Sequence, residues 1–520
     1  MASSKCKVLI SLAAALSLCL SMVGAQACTS IYLGSALTED GSTIFGRSED
    51  IANSYNKLFY VSPAGNHSAG EVYDGCYGFS YTFTRDSYSY TAFRDDNGDG
   101  VDGVCPDCGG THKHTPYEAG GTNEMGLSVS ATETIGASEA VSAVDPYKDA
   151  GIEEAEIVTV LLSEAATARE AVDLLLRIYD ESGCCGGSGL FIADANETWY
   201  VENTTGSQYI ALKLSDNLAF AQPNMSVIGL IDLDDSENVI ASEKLIAVAQ
   251  EAGSFVGDAE ANTIDYVASY NADQSANERM ANALKFFGAE IADAPAAADY
   301  TISNVDAEGN IVPFYTNIAL DHAYTIEDVV KFYDIDGIAS TRNLETHVFQ
   351  IFPEGGARGT VEWIAMDDAG WSAFVPYYPM LTTDTYAGYQ LSTAAAVFSE
   401  EEPVDGLYYA TTATQYTDEG RVSVEGFRTL PENWADSMYW SADALSNLVT
   451  SAELSEDKIA EIEAGLAGLQ QQCYDAYAEL QAAVAAAESD EAAAEAATKI
   501  SADAAAAVHA GIVEMVNSIQ

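Results

Sequence analysis

Cys28-Thr29-Ser30-Ile31-Tyr32-Leu33 and Ser42-Thr43-Ile44-Phe45-Gly46-Arg47 are two β-prone runs, with Glu39-Asp40-Gly41 between them. β-Branched and aromatic residues dominate both runs, so the pattern predicts a β-hairpin. With its turn centred near Leu37–Thr38, the returning strand sets Arg47 roughly opposite Cys28. A guanidinium there favours a thiolate, because nearby opposite charge favours the ionised form. Asp50, three residues on, is placed to orient that arginine or an amine beside it. An ordinary surface salt bridge would use the same two side chains.

The residues before Cys28 read as a removable leader. Lys5 and Lys7 form a basic start, Val8 to Leu20 an apolar run, and Ala25-Gln26-Ala27 an A-x-A cleavage site. Cleavage after Ala27 exposes Cys28 with a free α-amine. The thiol titrates at about 8.5 and an α-amine at about 7.7–8.0, so one residue carries a nucleophile and a base suited to covalent acyl transfer. Two other uses compete. An acylated lipoprotein cysteine normally has Leu or a similar residue three places earlier, where Ala25 stands here. A first cysteine can also simply form a disulfide.

Composition narrows the classes. The 520 residues carry 80 Asp+Glu against 21 Lys+Arg, a net charge of −59. That surface repels nucleic acid and anionic membranes, so neither is an expected partner. With 48% hydrophobic residues, 29 Tyr and 17 Phe, the chain is expected to bury a large core. After the leader no apolar run is long enough to span a bilayer, so a secreted or cell-surface location is expected; a homo-oligomer is compatible with it. Of nine cysteines, Cys6 and Cys19 fall in the leader. Seven remain, an odd number that leaves at least one unbridged, with Cys28 the natural candidate.

Further along, residues about 71–118 read as an insertion rich in Tyr, Gly and Asp. Glu153 to Glu181 carries a helical apolar stripe. Strands follow at Gly189–Ala193, Thr198–Glu202, Tyr209–Lys213 and Leu218–Pro223, then helices at Ser236–Glu251, Ala276–Phe287 and Ile326–Tyr333. Strands return at His347–Phe352, Thr360–Met366 and Ser372–Pro376. From Ala442 onward Ala, Glu and Leu predict two helices broken around Ser489–Asp490 and folded back as a pair. The expected class is a layered α+β fold.

Further constellations join Cys28-Thr29-Ser30 and Gly46-Arg47-Ser48-Glu49-Asp50. Gly121-Thr122-Asn123-Glu124-Met125-Gly126-Leu127 precedes a strand-like run, and Ala221-Gln222-Pro223-Asn224-Met225 ends another. The runs Ala193-Asp194-Ala195-Asn196-Glu197-Thr198-Trp199-Tyr200-Val201-Glu202, Trp363-Ile364-Ala365, Gly370 to Tyr378 and Ser437-Met438-Tyr439-Trp440 complete the set. In this order they resemble the dipeptidase A family, which includes the secernin-like proteins. That family belongs to the N-terminal nucleophile hydrolases, with bile salt hydrolases and penicillin V acylase as relatives. The resemblance implies a four-layer αββα sandwich over residues 28–440, after a signal peptide at 1–27, with a helical region at 441–520 packed on it. It implies that Cys28 is the nucleophile with its own α-amine as base, that Arg47 and Asp50 form the pair beside it, and that Asn123 and Asn224 help form an oxyanion hole. Arg279, in Asn277-Glu278-Arg279-Met280, matches an arginine near the relatives' active site; a surface helical arginine fits the residues as well. Relatives usually carry Asn after the first arginine, where Ser48 stands here. The implied activity is a cysteine dipeptidase acting on small peptides without a catalytic cofactor. The alternatives are an amidase of the bile salt hydrolase or acylase type and, in another class, a non-catalytic lipoprotein or metal-binding surface protein.

The insertion has chemistry of its own. Cys105, Cys108, His112 and His114 could close a structural zinc shell, or Cys105 and Cys108 could form a disulfide in an exported protein. Asp95, Asn97 and Asp99 match the start of a calcium loop, but its twelfth position is Pro106 instead of Glu. That excludes a complete EF-hand and leaves a tight acidic turn or a partial Ca²⁺ site.

Overall fold

Both faces of the 28–50 hairpin are apolar: Ile31, Leu33 and Ile44 lie on one, Tyr32 and Phe45 on the other. Such a pair must be covered on both sides. The computed structural model describes residues 28–50, 56–75, 78–96, 117–133, 135–271, 278–288, 300–306, 308–316, 320, 322–417 and 420–519. The leader and Cys105, Cys108, His112, His114, Asn97 and Asp99 lie outside the described residues.

The first sheet holds six strands: β1 (Thr29–Leu33), β2 (Thr43–Asp50), β10 (Ala219–Gln222), β12 (Asn343–Ile351), β13 (Thr360–Met366) and β14 (Val375–Tyr377), in the order β10-β1-β2-β12-β13-β14. The second holds eight: β3 (Lys57–Ser62), β4 (Tyr90–Asp95), β5 (Glu118–Thr122), β6 (Ser128–Glu133), β7 (Ser188–Ala193), β8 (Thr198–Asn203), β9 (Tyr209–Lys213) and β11 (Val239–Ala241). Their order is β11-β9-β8-β7-β6-β5-β4-β3. Every pairing in both sheets is antiparallel.

Strand alternation sorts the side chains into layers. Tyr32, Phe45, Phe349 and Ile364 of the first sheet meet Phe59, Phe93, Phe191, Tyr200 and Ile210 of the second in one core. On the far side of the second sheet, Val129, Leu190, Ile192 and Trp199 pack against helices α1 (Glu154–Glu164) and α2 (Ala168–Ser182). On the far side of the first, Ile31, Val348 and Trp363 pack against α3 (Glu278–Phe286), α4 (Ile326–Tyr333) and parts of α6 (Glu456–Ala486) and α7 (Asp490–Ile519). The architecture is the expected αββα sandwich with C-terminal helices. Among the described residues no helix is long and apolar enough to cross a membrane.

Several expected elements differ. The helix at 153–181 is two helices, because Ala165 turns extended and the Thr167 hydroxyl accepts the Glu170 N–H to start α2. The stretch 236–251 splits into β11, whose Val239 and Ile240 complete the sheet edge, and a helix at Leu245–Ala252. The 71–118 segment is only partly an insertion: Tyr90–Asp95 and Glu118–Thr122 are β4 and β5 of the second sheet, while Val72–Asp74 and Ser80–Thr82 form a small hairpin. The C-terminal helices number three, since α5 (Met438–Ser451) precedes the pair. That pair packs closely enough for a Cβ at Gly511 to meet Leu469 Cδ1 at 2.8 Å. A long hairpin at Tyr408–Thr417 and Gly420–Thr429 went unread, and Tyr409 ties it to α5 by donating to Asp443 Oδ2 at 2.8 Å.

Polar side chains also bridge the sheets. Thr91 of β4 donates to Glu362 Oε1 of β13 at 2.7 Å, and Ser130 of β6 meets His347 Nε2 of β12 at 2.8 Å. Burial pushes the Glu362 carboxyl up to about 8, against weaker opposing hydrogen bonds from Thr91 and Thr122. In the unfolded chain it ionises at about 4.3. Between those values the native state keeps a proton that the unfolded state has lost, so its contribution to stability falls as pH rises through the window. Glu362→Gln should therefore flatten this part of the stability profile, read as thermal midpoints from about pH 5 to about pH 8.

Candidate active site

Cys28 stands at the head of β1 with 5% of its surface exposed. β1 and β2 pair with Ser30 opposite Arg47, so the expected facing of Cys28 and Arg47 is shifted. The two are diagonal neighbours, which long side chains can bridge: Arg47 Nη2 lies 3.3 Å from Cys28 Sγ. Arg47 itself is 1% exposed.

A guanidinium that deep needs counter-charge. Arg47 Nη1 donates to the Ala131 carbonyl and lies 3.0 Å from Glu154 Oε1, at the first turn of α1; Glu49 Oε1 is 3.9 Å from Nη2. Lys57 Nζ pairs with Glu49 and, at 2.8 Å, with Asp95. Burial opposes the charge on Arg47, but Cys28, Glu154, Tyr117 and Glu49 outweigh it and hold the group well above its ordinary range. Lys57 is raised in the same way by Asp95 and Glu49, while Lys57 and Arg47 hold Glu49 low despite its burial. The network draws charges from β2, β3, β4 and α1, and of these only Arg47 was expected beside Cys28. Asp95, read as a calcium-loop residue, is here the buried partner of Lys57.

Asp50 does not orient Arg47. Its Oδ1 lies 3.1 Å from Arg342 Nε, just before Asn343, whose strand position pairs with Asp50. Burial pushes the Asp50 carboxyl up, with Arg342 and Arg279 pulling the other way. Arg342 is 42% exposed at its side chain, so it brings positive charge to the solvent edge of this group. No motif in the sequence pointed to it.

Arg279 is no surface residue. From the first turn of α3, Nη1 donates to the Cys28 carbonyl and, at 3.0 Å, to Thr29 Oγ1, while Nη2 donates to the Pro223 carbonyl at 3.1 Å. It therefore ties β1 to the turn carrying Asn224. Burial lowers its pKa; Cys28 and Asp50 act against that. Ser30 pairs with Gln222 across β1 and β10. Asn224 lies two residues beyond Gln222 and Cys28 two residues before Ser30, so the antiparallel strand ends carry them out of the sheet side by side. Asn224 adopts a left-handed φ of 54°, which asparagine tolerates better than most residues.

Asn123 is occupied elsewhere. Its Nδ2 donates to the carbonyls of Leu162 at 3.0 Å and Ala165 at 2.8 Å, and its Oδ1 accepts from the N–H groups of Met125 and Leu127. Its own N–H donates to the Leu127 carbonyl at 2.9 Å. With all three protons engaged, Asn123 has none to offer an oxyanion. It closes the carboxyl end of α1, at the break within the stretch expected to be one helix. Among the described residues no group of three or more His, Cys, Asp or Glu is placed to hold a metal ion.

The sequence model of Peptidase family C69 matches residues 27–421. A probable dipeptidase B of Streptococcus pyogenes is 30% identical over 399 residues, covering 70% of this chain and 74% of that protein. A probable dipeptidase of Salmonella dublin is 28% identical over 371 residues, 68% of this chain and 81% of its own. Among solved structures, penicillin V acylase from Agrobacterium tumefaciens aligns over 67% of this chain and 85% of its own, at 13% identity and a TM-score of 0.30.

Three substitutions separate the Cys28 thiol from its scaffold. Arg47→Ala should slow iodoacetamide alkylation of Cys28 at neutral pH about tenfold or more, because the thiolate is the reacting species and loses its favourable charge. It should also cost about 3–5 kcal/mol in denaturant unfolding, because Glu154 loses its buried counter-charge. Arg47→Lys should restore part of the alkylation rate, lacking the planar fork. Asn123→Ala should cost about 2–4 kcal/mol of stability while leaving that rate unchanged.

Proposed function

The chain belongs to peptidase family C69, and we propose that within it the chain is an exported enzyme that hydrolyses dipeptides through an acyl-enzyme on Cys28, once cleavage after Ala27 has made that residue N-terminal. The Arg47 guanidinium at 3.3 Å from Cys28 Sγ, in a buried charge network, carries this reading. The curated relatives, named as probable dipeptidases, support the substrate class.

The steps follow from the residues. The α-amine of Cys28 takes the thiol proton, and the thiolate, held beside Arg47, attacks the peptide carbonyl carbon. Negative charge collects on the carbonyl oxygen, where the Asn224 side chain donates; such a donor is worth roughly 2.7–4 kcal/mol. The protonated amine then gives its proton to the departing amino acid as the C–N bond breaks, leaving a thioester. Water, deprotonated by the same amine, attacks the thioester and releases the second amino acid with the thiol restored. Arg279 keeps Cys28 and the Asn224 turn in one frame throughout. Asp50, Arg279 and the partly exposed Arg342 put both signs of charge beside the nucleophile, which suits a substrate with an ammonium and a carboxylate a few bonds from the scissile amide.

Processing is the direct test. Protein retaining Ala27 lacks the amine and should lose at least about 10²-fold in dipeptide turnover relative to protein starting at Cys28, and Cys28→Ala should be folded and inactive. Equal turnover with Ala27 in place would overturn the mechanism. Hydrolysis of N-acyl amino acids in preference to dipeptides would replace the substrate class and leave the mechanism standing.

A further inference from the structure

We propose that Glu202 is a positioning residue for this reaction: it fixes the Pro223–Val227 turn so that Asn224 faces the oxyanion formed at Cys28. The inference rests on the oxyanion role given to Asn224 above.

Glu202 lies in β8 of the second sheet, with none of its surface exposed, whereas the turn follows β10 of the first. Its carboxylate is nonetheless filled by the turn. Oε1 accepts the Val227 N–H at 2.8 Å and the Tyr200 hydroxyl at 2.8 Å, and Oε2 accepts the Ser226 hydroxyl. At its other end the turn is gripped by Arg279, which donates to the Pro223 carbonyl and also holds the Cys28 carbonyl and Thr29. Asn224 sits between these two anchors in a left-handed conformation. An L-residue there relaxes toward negative φ unless its surroundings hold it. Arg279 sets where the turn begins relative to the nucleophile. Glu202 sets how the turn is oriented, from the opposite sheet. A carboxylate buried among apolar side chains is costly unless each oxygen is satisfied, and here two of its three donors come from the segment beside Asn224.

Alkylation of Cys28 needs the thiolate but no oxyanion donor, so it separates positioning from general damage to the site. Glu202→Gln keeps the shape and presents an amide N–H₂ to a group of donors. It should lower kcat for a dipeptide about tenfold or more with KM within about twofold, and leave the iodoacetamide rate unchanged. Asn224→Ala should lower kcat about 10²-fold, and the double variant should fall no further than Asn224→Ala alone, because both changes remove one interaction. Ser226→Ala, which deletes one donor to Glu202 and should fold readily, should move kcat in the same direction by a smaller factor. Full kcat in Asn224→Ala would overturn the oxyanion role itself. A loss in Asn224→Ala that multiplies with the Glu202→Gln loss, alkylation that slows in step with kcat, or unchanged kcat in Ser226→Ala would each overturn the role of Glu202 alone.

Discussion

A guanidinium buried to 1% exposure is stable only where opposite charge surrounds it, and meeting that condition at Arg47 organises the interior of this protein. Glu154 reaches it from the helical layer, the Ala131 carbonyl from the second sheet, and Glu49 from its own strand. Glu49 in turn needs Lys57, and Lys57 needs Asp95. Each charge is tolerable because the next one is there. The series of charges ends at the Cys28 sulfur, which one arginine nitrogen approaches to 3.3 Å. In a medium of low effective dielectric that contact is stronger than it would be at the surface. The same desolvation that makes the network costly to assemble makes it effective.

Two layers of support converge on Cys28. Arg47 acts on its side chain, and Arg279 acts on its carbonyl and on Thr29. Because Arg279 also holds Pro223, the distance between β1 and the Asn224 turn is set by one rigid fork. Glu202 holds the far side of that turn from the facing sheet. The αββα stacking thus brings two sheet ends to a common site and pins them with buried polar groups. Asp50 and Arg342 stand at its edge, with Arg342 partly open to solvent.

What the sequence made legible was local. Alternation in 28–33 and 42–47 reads as strands, and two apolar faces require cover on both sides. Cys28 after an A-x-A site and Arg47 on the returning strand share a face at registers that differ by two residues, so the pair survived an error in which Ser30, not Cys28, faces Arg47. Partners contributed by stacking, or by a strand distant in sequence, were invisible. Glu154, Lys57, Arg342 and Glu202 lie far apart in the chain, and no spacing rule connects them. Asn123 shows the opposite failure: its motif was read as donor chemistry, yet its amide is consumed in closing α1. One missed signal was available, since Thr167 and Glu170 have the spacing of a helix start within the stretch read as one helix.

The central claim is that Cys28, as the first residue, carries the acyl group during turnover. Rapid acid quenching of mature enzyme during dipeptide hydrolysis, followed by mass mapping of the N-terminal peptide, tests it directly. The account predicts a peptide that begins at Cys28 and carries one aminoacyl residue as a thioester, labile to hydroxylamine. Undiminished turnover with no adduct on that peptide, or with the adduct on another side chain, would contradict it.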